Sequence, residues 1–234
     1  MSMESVQKPS SEEPVNKDKT IAFALWTGLF FLAALVILSL LFWQERVLYG
    51  DAAYQVFYVI NQEALAIQVQ RFGAIIVQGI PLVLVKWHAS LNTILQAYSI
   101  GFTIYPLIFV LITWKLLKQP HLALLMVLFF GFTQIHTFFW IQSELIQGCM
   151  YSLLFVAVFL AAPKPKWWLF LLWQLLVVLT IYAHPLAVVI FTFLLVWYTI
   201  EYRKEIDWRF YSLFASILLT LIIKYKNAED GGYN

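Results

Sequence analysis

The chain has 234 residues, of which 62% are hydrophobic and 12% charged, and its formal net charge is +2. A soluble domain carries about 25% charged residues, so a water-facing surface is excluded for most of this chain, and so small a charge gives no footing for nucleic acid. The single cysteine, Cys149, excludes an internal disulfide and sits in an apolar run.

Residues 1–19 are polar with mixed charge and read as a disordered tail. The apolar run 20–43 is long enough to cross a bilayer and lacks a small-residue cleavage site, so it reads as an uncleaved signal anchor. Six further apolar segments follow, at 90–114, 121–139, 145–162, 167–183, 186–200 and 210–223. Polar breaks separate them, at Lys115 to Pro120, at Pro163 to Lys166 and at Glu201 to Arg209. The expectation is an all-α polytopic membrane protein with about seven transmembrane helices. Residues 20–223 form its membrane module, and 224–234 form a polar outer tail that reads as truncated.

The distribution of Lys and Arg sets the orientation. With the amino terminus in the cytoplasm, ten of the fifteen basic residues lie inside, while Arg46, Arg71, Lys86, Lys224 and Lys226 lie outside. This assignment keeps 72–85 from being a full span: it is short, and Gly79-Ile80-Pro81 interrupts it.

The first outer loop, 44–89, is far longer than any other connection, and long structured loops are usually functional. Gly50-Asp51 offers a helix start with Asp51 as N-cap. Ala53, Phe57, Ile60, Ala64 and Ile67 then recur at helical spacing, with Gln55, Asn61, Gln62, Glu63, Gln68 and Gln70 opposite. That pattern predicts an amphipathic helix lying in the outer interface. A second element from Arg71 to Pro81 then dips back toward the membrane before Lys86-Trp87-His88. Topology also puts Glu144, at the outer end of the third span, and His184, before Pro185, on this face with Asp51 and Arg71.

A cytoplasmic start, one span, a long outer loop with juxtamembrane helices and an early acid in Tyr49-Gly-Asp51-Ala-Ala-Tyr54 resemble the amino-terminal module of the GT-C superfamily of membrane glycosyltransferases. That group includes the protein O-mannosyltransferases and the aminoarabinose transferases of lipid A. Glu144 matches the place of a second acid in the next outer loop, and Arg71-Phe-Gly-Ala-Ile-Ile-Val-Gln-Gly-Ile-Pro81 is similar to the family's returning segment. The resemblance implies transfer of a sugar from a polyprenyl-phosphate donor to an acceptor at the outer face of a bacterial-type inner membrane.

On this resemblance Asp51 is the base that takes the acceptor proton. Arg71 binds the departing phosphate, with Lys86 and His88 in reserve, and Glu144 orients the acceptor or helps hold a divalent cation, magnesium or manganese. His184 is a further outer-face candidate. Each has a plain alternative: Asp51 a helix cap, Arg71 a lipid head-group anchor, Glu144 a carboxylate in outer water, His184 a break-point residue before proline.

Two rival classes remain. A transporter would use polar residues inside spans, for which Gln96, Ser99, Thr103, Gln174 and Thr180 are available. A non-catalytic subunit of a membrane assembly would need further subunits as partners. Sugar, acceptor, metal need and oligomeric state are not legible in the sequence.

Overall fold

The computed structural model describes residues 13–67, 71–139, 141, 144–161, 167–201 and 208–226. Most of the expected tail (1–12), Gln68 and Gln70 of the first loop, the break at 163–166, much of that at 201–209, and residues 227–234 lie outside them. The described residues are mostly helical, and none of them lies in a strand.

Helix α1 (Glu13–Leu41) begins before its apolar run, which spans Asp18–Leu41. Polar residues extend it because a helix in water needs no packed face for one or two extra turns. After Phe42 come the short α2 (Trp43–Val47) and then α3 (Gly50–Gln62). A 3₁₀ turn at Phe72–Ala74 leads into α4 (Ile75–Lys86). Helix α5 (Leu91–Leu111) is capped by Ser90, whose hydroxyl accepts the Thr93 N–H, and continues as a π-turn over Ile112–Leu116. Helices α6 (Pro120–Thr137), α7 (Glu144–Ala161), α8 (Trp167–Ala183), α9 (Ala187–Glu201) and α10 (Trp208–Lys226) complete the chain.

Four stretches are long and apolar enough to cross a membrane: Asp18–Leu41, Leu91–Leu116, Pro120–Thr137 and Glu144–Ala161. Their outer surfaces are apolar, with Phe30 79% and Phe132 67% exposed, which suits lipid rather than water. Three further apolar helices, Phe72–Lys86, Trp167–Ala183 and Ala187–Glu201, are shorter. At 1.5 Å per residue a 17-residue helix is about 25 Å long, short of a hydrocarbon core about 30 Å thick.

Helix α1 packs on α5 and α6, α4 lies along α5, and α7 binds α8 and α9, with α10 against α8. Aromatic rings fill the seams: Tyr105 meets Phe130 and Phe109, while Phe155, Phe159 and Trp173 form a second stack.

The first loop departs from expectation in three ways. The residue before α3 is Tyr49, in extended conformation; Asp51 lies in the first turn and is not the cap. The helix stops at Gln62, where Glu63 turns left-handed with φ 49°, well before Ile67. Its polar face is not wholly exposed either: Gln55 is buried together with Ala52, Val56 and Val59, while Phe57 is 66% exposed. Beside lipid the apolar stripe can face outward, and the polar side seeks partners inside the protein.

The expected break at Gly79-Ile80-Pro81 is also absent, because α4 runs continuously through Pro81. Proline deprives the Val77 carbonyl of its i+4 donor. That carbonyl lies against Gly101 of α5, where an added Cβ would stand 3.5 Å from it. The small residue lets the two helices close over the defect.

Candidate functional site

A connected set of polar side chains joins the first loop to the start of α7. Glu144 is the first residue of α7, with its side chain 15% exposed. Its Oε1 accepts a hydrogen bond from Gln55 Nε2 at 3.1 Å, and Arg71 Nη1 lies 3.6 Å from its Oε2. A charge-assisted hydrogen bond would be about 2.8 Å long, so Arg71 and Glu144 form a looser ion pair. It is the only ion pair among the described residues.

Behind Glu144 the bonds run in one direction. The Ala66 backbone N–H donates to Gln78 Oε1 at 2.8 Å, and Gln78 Nε2 donates to Gln55 Oε1 at 3.3 Å. The Tyr98 hydroxyl gives its proton to the same Gln55 oxygen at 2.7 Å. A backbone N–H can only donate, so it fixes the orientation of both amides and leaves Gln55 nitrogen-first toward Glu144. Asp51 lies one turn before Gln55 on α3, is exposed, and its field reaches the Tyr98 hydroxyl together with that of Glu144.

The chain after Arg71 is wedged between α7 and α8. An added Cβ at Gly73 would fall 2.5 Å from the Cα of Ala183, so only glycine permits this approach. The Tyr151 hydroxyl of α7 donates to the Gly73 carbonyl at 2.7 Å. Phe72 packs edge-on against Tyr182, with centroids 5.7 Å apart.

His184 follows Ala183 and accepts the Leu186 N–H on Nδ1 at 3.2 Å, so in the neutral ring the proton sits on Nε2. Its pKa is pushed below the ordinary 6.5, first by burial and next by Arg71, against the opposing pull of Glu144. Lys224 of α10 is buried, donates to the Ile181 carbonyl at 2.6 Å and lies 5.3 Å from the Tyr182 ring centroid. It therefore belongs to the packed helix and not to an outer tail.

Of the residues selected from the sequence, Arg71, Glu144 and His184 come together. Asp51 stands beside them through Gln55. Lys86 and His88 do not join: Lys86 ends α4 and His88 follows it, about 20 Å from Arg71 at the helical rise. Both are exposed. Gln55, Gln78, Tyr98 and Lys224 escaped sequence reasoning. Gln78 alone carried a signal, as an uncharged polar residue inside an otherwise apolar run.

The described residues show no built site for magnesium or manganese, a cation that the sequence left open. Among the described residues no three His, Cys, Asp or Glu side chains come together, and each Glu144 oxygen already faces a nitrogen. A cation there would have to displace Arg71.

A second polar node lies nearby. Arg46 of α2 is 1% exposed; its Nε donates to Ser99 Oγ at 2.9 Å, its Nη1 to the Phe138 carbonyl and its Nη2 to the Ser99 carbonyl at 3.4 Å. Ser99 Oγ donates onward to the Ser39 carbonyl at 2.8 Å. Arg46 thus ties α2 to α5, to the carbonyl end of α6, where its charge meets the negative pole of the helix, and through Ser99 to α1. Burial pulls its pKa down to about 10, which leaves it charged at neutral pH.

Comparison with protein families, with curated proteins and with solved structures finds no match.

Proposed function

We propose that this chain is a membrane glycosyltransferase of GT-C type that moves a sugar from a polyprenyl-phosphate donor to an acceptor at the outer face of a bacterial-type inner membrane. In this reading α8, α9 and α10 cross with the four longer helices to make seven spans, and the amino terminus is cytoplasmic. Residues 20–223 are the membrane module, with 44–89 as its outer loop.

The observation that carries the reading is the arrangement around Glu144. A carboxylate and a guanidinium, Glu144 and Arg71, are held together where α7 begins, under the helix that bears a second, exposed carboxylate, Asp51. One acid, one phosphate-binding cation and one further acid are the groups an inverting displacement on a sugar phosphate requires. Asp51 accepts the acceptor's hydroxyl proton as the new C–O bond forms at the anomeric carbon. The old C–O bond to phosphate breaks, and Arg71 takes up the negative charge on the departing polyprenyl phosphate. Glu144 holds Arg71 and orients the acceptor. A groove of about 430 Å³ between α3 and the start of α5, lined by Leu48, Tyr54, Phe57, Leu91 and Leu95, suits an apolar lipid chain beside the site.

The transporter reading has less support. Thr180 bonds back to a carbonyl of its own helix, as do Ser39 and Ser152, and Ser99 and Thr103 bond to Ser39 across the α1–α5 seam. The test is transfer from labelled polyprenyl-phosphate sugars in membranes, with the native chain beside Asp51→Asn and Glu144→Gln. Transfer that is lost in Asp51→Asn, with insertion intact, is the expected result. No transfer by the native chain moves the assignment to a non-catalytic subunit of a membrane assembly.

A further inference from the structure

Lys224 stands at the end of α10, far in sequence from the first loop, yet it closes the same corner of the molecule as Arg71. Its amine lies 5.3 Å from the Tyr182 ring centroid, that ring packs on Phe72, and Phe72 follows Arg71 in the chain. His184 enters from the other side of this contact: Ala183 touches Gly73, which places the histidine one residue beyond the junction that Arg71 precedes by two. Three nitrogen donors thus come from three segments that pack on one another through Phe72, Tyr182 and the Gly73–Ala183 contact.

Their donor capacity is not used up. Arg71 Nε is buried without a hydrogen-bond partner among the described residues. Lys224 gives one proton to the Ile181 carbonyl and faces no carboxylate within 4 Å among those residues. Its ammonium has three N–H bonds, so two remain. His184 spends Nδ1 as an acceptor, which leaves Nε2–H as a donor. Glu144 neutralises one of the two fixed cations, so the corner carries an excess positive charge in a poorly solvated place. An oxyanion with several acceptor atoms is the ligand class that matches.

We propose that Arg71, Lys224 and His184 form one phosphate cradle, in which Lys224 is the second phosphate cation and Glu144 holds Arg71 in register. This rests on the transferase reading for the identity of the lipid; the donor set alone calls for a phosphate-type anion. The second cation has a defined task in the transfer. A sugar phosphodiester carries one negative charge, whereas the polyprenyl phosphate that leaves is a monoester with up to about two at neutral pH. Arg71 donates to the phosphate oxygens before and after transfer, and Lys224 meets the charge that develops as the C–O bond breaks.

The experiment uses the full chain in phosphatidylcholine nanodiscs and two probes, inorganic phosphate and undecaprenyl phosphate, with binding followed by the phosphorus NMR shift. Lys224→Met is expected to weaken binding of the monoester probes by about tenfold or more, the worth of one charge-assisted hydrogen bond. Lys226→Met, a neighbouring exposed lysine, should leave it unchanged. Should Lys224→Met fold poorly, Lys224→Arg retains the charge and must retain binding, and His184→Gln gives an independent loss. Binding of both probes marks a site that reads phosphate itself; binding of the lipid alone marks one that also needs the tail, and either supports the cradle. No binding by the native chain, or equal binding by native and Lys224→Met proteins, overturns it. Because binding is read without turnover, the cradle can stand while transfer fails, and transfer can stand while the cradle falls.

Discussion

Gln55 meets Glu144 nitrogen-first, at 3.1 Å, because the backbone N–H of Ala66 fixes the order of donors and acceptors through Gln78. Neither amide can rotate without setting two acceptors or two donors face to face, and Tyr98 adds a second proton to the same Gln55 oxygen. Ala66, in the loop between α3 and α4, therefore helps set the geometry of a carboxylate on α7 that it reaches only through Gln78 and Gln55.

Through this order Gln78 and Glu144 are energetically coupled without contact. Gln78→Leu and Glu144→Gln should each lower thermal stability, and the double variant should lose less than the sum. A coupling of about 0.5 kcal/mol or more is expected, as for members of one hydrogen-bond network. Strict additivity in detergent melting would show that the two sites are independent.

Much of this fold was legible because lipid imposes a simple rule. Backbone groups must be satisfied inside each segment, so long apolar runs become helices, and the boundaries of α6, α7 and α8 follow their hydrophobic runs closely. The same rule hid the site. On α3 the sequence set Gln55 on the polar face opposite Ala53, Phe57 and Ile60, whereas Gln55 is 4% exposed and Phe57 66%. Periodicity reports that two faces differ but not which faces lipid. Arg71 and Glu144 could be placed on one side of the membrane by counting spans, whereas their pairing, and the entry of Lys224 from α10, depend on helix packing that hydropathy does not encode.

Two glycines on neighbouring elements should respond in opposite ways. A Cβ at Gly73 would stand 2.5 Å from backbone and side-chain carbons of Ala183, while at Gly79 it meets nothing within 4 Å. Gly73→Ala should cost about 1–3 kcal/mol by overpacking and displace Arg71 from Glu144. Gly79→Ala, inside α4, should be neutral or stabilise by up to about 1 kcal/mol through helix propensity. Parallel melts of the two variants decide the matter, and a tolerant Gly73 would refute the close contact.

Arg46 should prove structural and independent of the site. Arg46→Met removes the donors to the buried Ser99 hydroxyl and to the part-buried Phe138 carbonyl, which ends α6. A loss of about 2 kcal/mol or more is expected, since each unsatisfied buried acceptor costs about 1–3 kcal/mol. Phosphate binding by whatever fraction stays folded should match the native chain. A variant that melts normally would mean that the α2 and α6 ends are held by other contacts.

The pH response should centre on His184. Burial and Arg71 hold its pKa below the ordinary 6.5, with Lys224 acting in the same direction and Glu144 against it. The native fold thus favours the neutral ring, and protonation would also remove the Nδ1 lone pair that accepts the Leu186 N–H. A depressed pKa contributes stability that is present above 6.5 and is lost as pH falls through the folded value. The native protein should therefore lose melting temperature between neutral and mildly acidic pH by more than His184→Gln does. Bound phosphate should reduce that loss, because an anion favours the protonated ring. Identical pH profiles for the two proteins would place His184 outside the charged corner and remove it from the cradle.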